Sequence, residues 1–344
     1  MHSEASGSVA EGVHNVQVTV IVVSFNTCAL LRECLTSVDT QCSGVGTEMI
    51  VVDNGSRDGS PEMVRGEFPK VKLLGYNCNL GFAAANNRAL IHARGRYVVM
   101  LNSDAFMHPD ALAHSIDHME RNPRAGLASG RLLDRDSLWR PSARMFPSPL
   151  NKLLAMTGLA DRFPSSRFFG RCNRTWADPS VPAQVDWVGG AYMIVRREVL
   201  ERVGYFDERF FLYFEEIDLC RRIKAAGYEI WFWPDVAITH IGGASTQSLL
   251  NEEYQPGVQL SSWRMRSELL YYRKYHGELG ARCTMAIEKW WHRARLLRNH
   301  GSRDKMSKRR VSNARHEIAA LRQAWLDTEG GRVSPPRPWT FRSA

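Results

Sequence analysis

Three β-branched runs, each ending on a polar residue, constrain this chain more than any other feature. VQVTVIVVSF (residues 16–25), EMIVVDNGS (48–56) and RYVVMLNSDA (96–105) are apolar at successive positions, as strands buried on both faces of a parallel sheet must be. ALLRECLTSV carries apolar residues at helical spacing, VKLLGYN supplies a further short strand, and GFAAANNRALIHA reads as a helix. This alternation predicts an α/β fold with an open, mostly parallel central sheet flanked by helices. Ligands of such sheets gather beyond the carboxyl ends of the strands, where Ser24, Asp53 and Asp104 stand.

The rest is less regular. Pro109 opens a helix through PDALAHSIDHMER, with Asp110 in its first turn. Residues 134–182, with many Pro, Arg and aromatic residues, read as a long lobe or loop over the site. VDWVGGAYMIVRREVLERVG reads as a strand and a short helix, with Gly189 and Gly190 allowing close backbone approach. A helix after FEEIDL leads to YEIWFWPDVAITHIGG, a strand with a proline break. No apolar run is long enough to span a bilayer, and the first residues lack the basic and apolar regions of a secretory signal. Seven cysteines with no CxxC pair are expected as reduced thiols, which places the chain in the cytosol.

FFLYFEEIDLCRR (210–222) sets Glu215, Glu216 and Asp218 at the mouth of an aromatic segment, where carboxylates lose hydration unless something pairs or uses them. Two readings are open. The glutamates cap a helix while Asp218 pairs with Arg222 one turn on, or one of them is the base of a metal-assisted group transfer. Asp53 either makes an Asx turn or accepts hydrogen bonds from a base edge or ribose hydroxyl. Asn86 and Asn87 of NLGFAAANN can present amides to a nucleotide. Asp104 is a natural anchor for Mg2+ or Mn2+ bridging the protein to a diphosphate. His240 is either a further ligand, suited to Mn2+, or a satisfied structural imidazole.

SFNT, VVDNGSRDGS, NLGFAAANN, LNSDA, VGG, FDERFFLYFEEIDLCRR and THIGG come in an order that resembles family-2 inverting glycosyltransferases of the GT-A fold. The nearest resemblance, over about residues 16–275, is to bacterial rhamnosyltransferases of cell-surface polysaccharide synthesis. It implies a nucleoside-diphosphate sugar donor, with Ser24 and Asn26 lining the nucleotide pocket, Asp53 on the base, and Asn79 and Asn86 near the nucleotide and diphosphate. Asp104 holds the place of the metal-binding carboxylate of the DxD motif. The first member of that motif is here Asn102, so Asp104 would act with diphosphate oxygens and His240. In the ED motif the second residue is the base. Here it is Glu216, where Asp is usual, and Glu215 is the second candidate. Phe210, Phe211, Tyr213 and Phe214 would raise the pKa of such a base, as an inverting transfer requires. Trp187, Gly189 and Gly190 would shape the acceptor pocket, although the indole suits core packing equally well.

Resemblance, charge and pattern together divide the chain into a flexible N-terminus (1–15), a GT-A domain (16–262), a basic helical region (263–327) and a flexible tail (328–344). The domain splits into a nucleotide-binding half (16–133) and an acceptor-binding half (134–262). The donor implied is dTDP-L-rhamnose, with a UDP-hexose as the alternative, and the acceptor is a lipid-linked glycan. A scaffold that binds nucleotide sugar without turnover is the other alternative.

Charge is unevenly spread. Residues 263–310 hold 14 Lys or Arg against 4 Asp or Glu, so the formal +9 of the 344 residues belongs to this region. Ile287, Trp290, Trp291, Ala294 and Leu297 share one helical face with Lys289, Arg293 and Arg295 around it. This suits either an anionic membrane surface, on the inner face of the cytoplasmic membrane, or packing on the domain with solvated charges. No nucleic-acid-binding module accompanies the charge, and no nucleic acid partner is expected. A nucleotidyltransferase or dinucleotide-binding dehydrogenase would need a Gly-rich loop after the first strand, and SFNTCALL has none.

Overall fold

The computed structural model describes residues 16–42, 45–242, 256–300 and 304–334. The segments 1–15 and 335–344 and Gly243 of the THIGG block lie outside the described residues. Strand β1 (Val18–Ser24) is buried on both faces. Val18, Val20 and Val22 pack on one side against Leu31, Leu35 and Val38 of helix α1 (Cys28–Asp39), and Ile21 packs on the other. β2 (Thr47–Asp53), helix α2 (Ser60–Glu67), β3 (Lys72–Gly75), helix α3 (Phe82–Leu90) and β4 (Tyr97–Asn102) complete the first half. Its four strands run parallel in the order β3-β2-β1-β4, as their β-branched runs require. The register sets Ser24 opposite Asp53 and Val23 opposite Asn102, which lines up the polar strand ends.

The second half comprises β5 (Ala105–Met107), α4 (Ala111–Arg121), β6 (Ala125–Leu133), β7 (Trp139–Arg140), β8 (Ala143–Arg144), α5 (Pro149–Met156), α6 (Leu159–Arg162), β9 (Ala183–Val185), β10 (Trp187–Val188), β11 (Tyr192–Arg196), α7 (Arg197–Val203), α8 (Glu215–Ala225) and β12 (Glu229–His240). From β4 the sheet continues β11-β6-β12-β5 and becomes mixed, with β11 antiparallel to both neighbours, β12 parallel to β6, and β5 antiparallel to β12.

Three local expectations change. The strand expected over VDWVGGAYMIVR is three short ones. The Asp186 carboxylate takes the Phe146 amide and Lys224, β10 turns aside to pair with β8, and Gly189-Gly190 carries the chain on to β11. Helix α8 starts at Glu215 rather than after FEEIDL. Asp110 stands just ahead of its helix with φ 64°.

Two further helices, α9 (Pro256–Arg298) and α10 (Lys305–Asp327), follow. Gly277, at φ 66°, kinks α9. Before the kink, Leu270, Tyr271 and Tyr272 join the core beside α8, with the Tyr271 ring 5.3 Å from that of Phe214. After α10, Thr328 is fully buried and Gly331 abuts the Leu269 backbone, so packed chain continues past the boundary expected at residue 328.

Candidate active site

The first four strand ends build one wall. Asp53 is 3% exposed, and its Oδ2 accepts the amides of Gly55 and Ser56, the Asx turn anticipated as one reading. Its Oδ1 is buried with no partner in the protein, so an acceptor is left for a ligand's donor. Asn26, at φ 50°, accepts the Arg57 amide and donates its own amide to Ser56 Oγ, which fixes the turn beside Asp53. Ser24 is wholly buried, its hydroxyl 3.1 Å from that of Thr27, which in turn donates to Ser103. It holds the wall from behind.

Asn79 Oδ1 accepts from Gly81 N and from Asn54 Nδ2, while Asn54 Oδ1 accepts the Leu80 amide. Asn54, passed over in the sequence, thus shapes the loop before α3. Asn86 donates to Phe82 O within its own helix. Asn87 is spent structurally, bonded to Phe206 and Glu208.

The turn between β4 and β5 carries Asp104. Antiparallel pairing of His240 with Ala105 brings the distant imidazole beside it. His240 Nε2 lies 3.3 Å from Asp104 Oδ1 and 3.4 Å from Asn102 Nδ2. Adjacent ligands of an octahedral Mg2+ or Mn2+, at about 2.1 Å from the ion, stand about 3 Å apart, so this carboxylate and imidazole fit such an ion. Among the described residues no group of three His, Cys, Asp or Glu side chains could hold one, so ligand oxygens would complete the shell.

The third component is the start of α8. Tyr213 and Phe214 both have positive φ, 69° and 70°, a strained approach that an ordinary loop would avoid. It delivers Glu215 and Glu216 into the interior, each with a buried Oε2 that has no protein partner. Burial, and then the Glu216 charge, push Glu215 well above the usual carboxylate range. Burial raises Glu216 to about 7 against the opposing pull of backbone amides and Arg144. Neither glutamate caps the helix, whereas Asp218 does bond Arg222 as the structural reading held, and Lys274 and Tyr275 of α9 bind it as well.

Gly190-Ala191 joins the two ends of the site. A Cβ on Gly190 would stand 3.9 Å from Glu216 Cβ, and Ala191 O accepts the Asn102 amide. Gly189 donates to Ser142 O. Trp187 is 9% exposed with its indole N–H on Met145 O, which meets the core-packing reading, and Arg144 stacks on it at 5.4 Å. Arg144 was missed because nothing in its local sequence separates it from the other arginines of its lobe.

Residues 19–204, more than half of the chain, match glycosyl transferase family 2. The chain belongs to that family. It is 30% identical over 209 residues to N-acetylglucosaminyl-diphospho-decaprenol L-rhamnosyltransferase of Mycobacterium tuberculosis, covering 58% of this chain and 67% of that one. It is 27% identical over 203 residues to rhamnosyltransferase WbbL of Escherichia coli K12, covering 56% and 69%. Among solved structures it resembles the mannosyltransferase PcManGT of Pyrobaculum calidifontis in complex with GDP-Man and Mn2+, at TM-score 0.52 and 20% identity over 90% of this chain and 87% of that one. GalNAc-T7 with UDP, GalNAc and Mn2+ gives TM-score 0.53 at 13% identity, covering 92% and 58%. The fold is GT-A and the chain is a glycosyltransferase. The family match ends before Glu215, so the family match alone does not reach α8 or His240.

Proposed function

We propose that this glycosyltransferase moves L-rhamnose from dTDP-L-rhamnose, with inversion, to a hydroxyl of a glycan carried on a lipid diphosphate, in cell-surface polysaccharide synthesis. The observation that carries this reading is the half-buried Glu216, its Oε2 buried without a partner and its pKa pushed up to about 7, joined through Gly190-Ala191 to the Asp104–His240 end of the strands. Glu216 takes the acceptor hydroxyl proton as that oxygen bonds to the anomeric carbon, and the bond from that carbon to the nucleoside diphosphate breaks on the opposite face. Asp53 and the Asn54–Asn79 loop orient the nucleotide, and Asp104 with His240 would hold a divalent ion. When bound, that ion neutralises charge building on the departing diphosphate. Transfer of rhamnose is supported by the names of the M. tuberculosis and E. coli relatives, and the lipid diphosphate by that of the M. tuberculosis relative.

No helix among the described residues is long and apolar enough to cross a membrane. The basic α9 face with Trp290 and Leu297 would hold the protein at an anionic membrane surface, on the inner face of the cytoplasmic membrane. A panel of nucleotide sugars with and without Mn2+ tests the reading, by donor hydrolysis and by transfer. Mn2+-dependent turnover of dTDP-L-rhamnose is expected. Preference for a UDP-hexose would replace the donor assignment, and binding without turnover would leave a scaffold.

A further inference from the structure

Strand β6 and the lobe between it and β9 hold half-buried cations. Arg131 and Arg171 each bury an Nε, and Trp176 its indole N–H, with no hydrogen-bond partner in the protein. Among the described residues, Arg131, Arg144, Arg171 and Arg174 form no ion pair within 4 Å, although all four are half-buried. Of the carboxylates near them, Asp178 accepts the amide and hydroxyl of Ser180, Asp186 binds Lys224 and the Phe146 amide, and Glu216, which Arg144 lowers, is the proposed base. Burying guanidinium N–H groups without an acceptor is costly, and a planar, always-charged fork suits phosphate oxygens.

Hydrogen bonds tie together the segments that carry these groups, and Arg144 lies near enough to Glu216 to lower its pKa. Ser142, two residues before Arg144, donates to Gly130 O beside Arg131 and accepts from Gly189 N. The Met145 amide donates to Cys172 O, which draws the Arg171–Arg174 segment against β8. Arg174 lies 5.4 Å over the Trp176 ring, and Arg144 5.4 Å over Trp187.

We propose that Arg131, Arg144, Arg171 and Arg174 form the subsite for the diphosphate of the acceptor, separate from the Asp104–His240 end that faces the donor's diphosphate. This rests on the glycosyltransferase reading and adds to it the residues that choose a diphosphate-linked acceptor over a neutral one. The arrangement places the anionic end of the acceptor on the lobe, so that its sugar hydroxyl points toward Glu216 across Gly189-Gly190.

The test compares two acceptors in the full-length protein: N-acetylglucosamine on a short prenyl diphosphate, and the same sugar on an uncharged alkyl chain. Donor hydrolysis is measured without acceptor, and donor affinity by titration reports folding. In the Arg131→Gln/Arg171→Gln variant, the preference in kcat/KM for the diphosphate acceptor should fall at least tenfold, mainly through KM. Arg171→Lys should recover part of it. An unchanged preference, or a fall in donor affinity as large as the fall in acceptor efficiency, would overturn the assignment. A wild-type protein that turns over no nucleotide sugar would overturn the transferase reading, and this subsite with it.

Discussion

The pKa of the half-buried Glu216, pushed up to about 7, is held between two opposing causes, and each can be removed separately. Burial raises Glu216, while backbone amides and Arg144 lower it. As a base it must be ionised, so kcat/KM should rise with pH through about 7. Arg144→Ala removes a lowering charge and should move that limb upward by roughly half a unit. A limb that stays in place would show that Arg144 does not sense Glu216. The shift also bears on stability. Between the ordinary value of 4.5 and about 7 the folded protein binds more protons here than the unfolded chain, so stability falls as pH rises through that window. Glu216→Gln should therefore be more stable than wild type above pH 7, by on the order of 2 kcal/mol, with the gap closing below about pH 4.5. Urea midpoints across that range measure it.

The elements that carry the site are pinned by close contacts. Gly81 sits at φ 84°, and a Cβ there would come within 2.4 Å of Phe211 O, so the loop before α3 and the approach to α8 fit only with glycine. Gly81→Ala should cost on the order of 3 kcal/mol in urea unfolding and weaken donor binding. A variant within 0.5 kcal/mol of wild type would contradict this packing. Much of this level could be read from the sequence. The β-branched runs announced β1, β2 and β4, and the polar residue at each end marked where the nucleotide wall forms. The break at Asp186 could not be read, because it depends on Lys224 and Phe146, which are distant along the chain. The meeting of His240 with Asp104 likewise depends on antiparallel pairing of β12 with β5, which no local pattern encodes. Neither the strained Tyr213-Phe214 entry to α8 nor the bracing of Asp218 by Lys274 and Tyr275 leaves a sequence signal.

At the scale of the molecule, the C-terminal helices both brace the catalytic domain and present a surface. Lys152 of α5 bonds Glu268 and Glu288 of α9 in a nearly buried cluster. On another face of α9, Trp290 is 57% and Leu297 77% exposed, while Ile287, Trp291 and Ala294 of the same face are half-buried. The protein should co-sediment with vesicles containing anionic phospholipid and lose binding as salt rises. Trp290→Ala/Leu297→Ala should weaken this roughly tenfold. Equal binding to neutral vesicles would remove the electrostatic part of the proposal. Transfer spans the whole cleft, with the donor held at the strand ends while Glu216 deprotonates the acceptor. The most direct test is to measure transfer rate and donor dissociation constant together for Glu216→Gln. Transfer should fall by about a hundredfold or more, with donor affinity within about twofold of wild type, if Glu216 is the base. Near-normal transfer by that variant would contradict it.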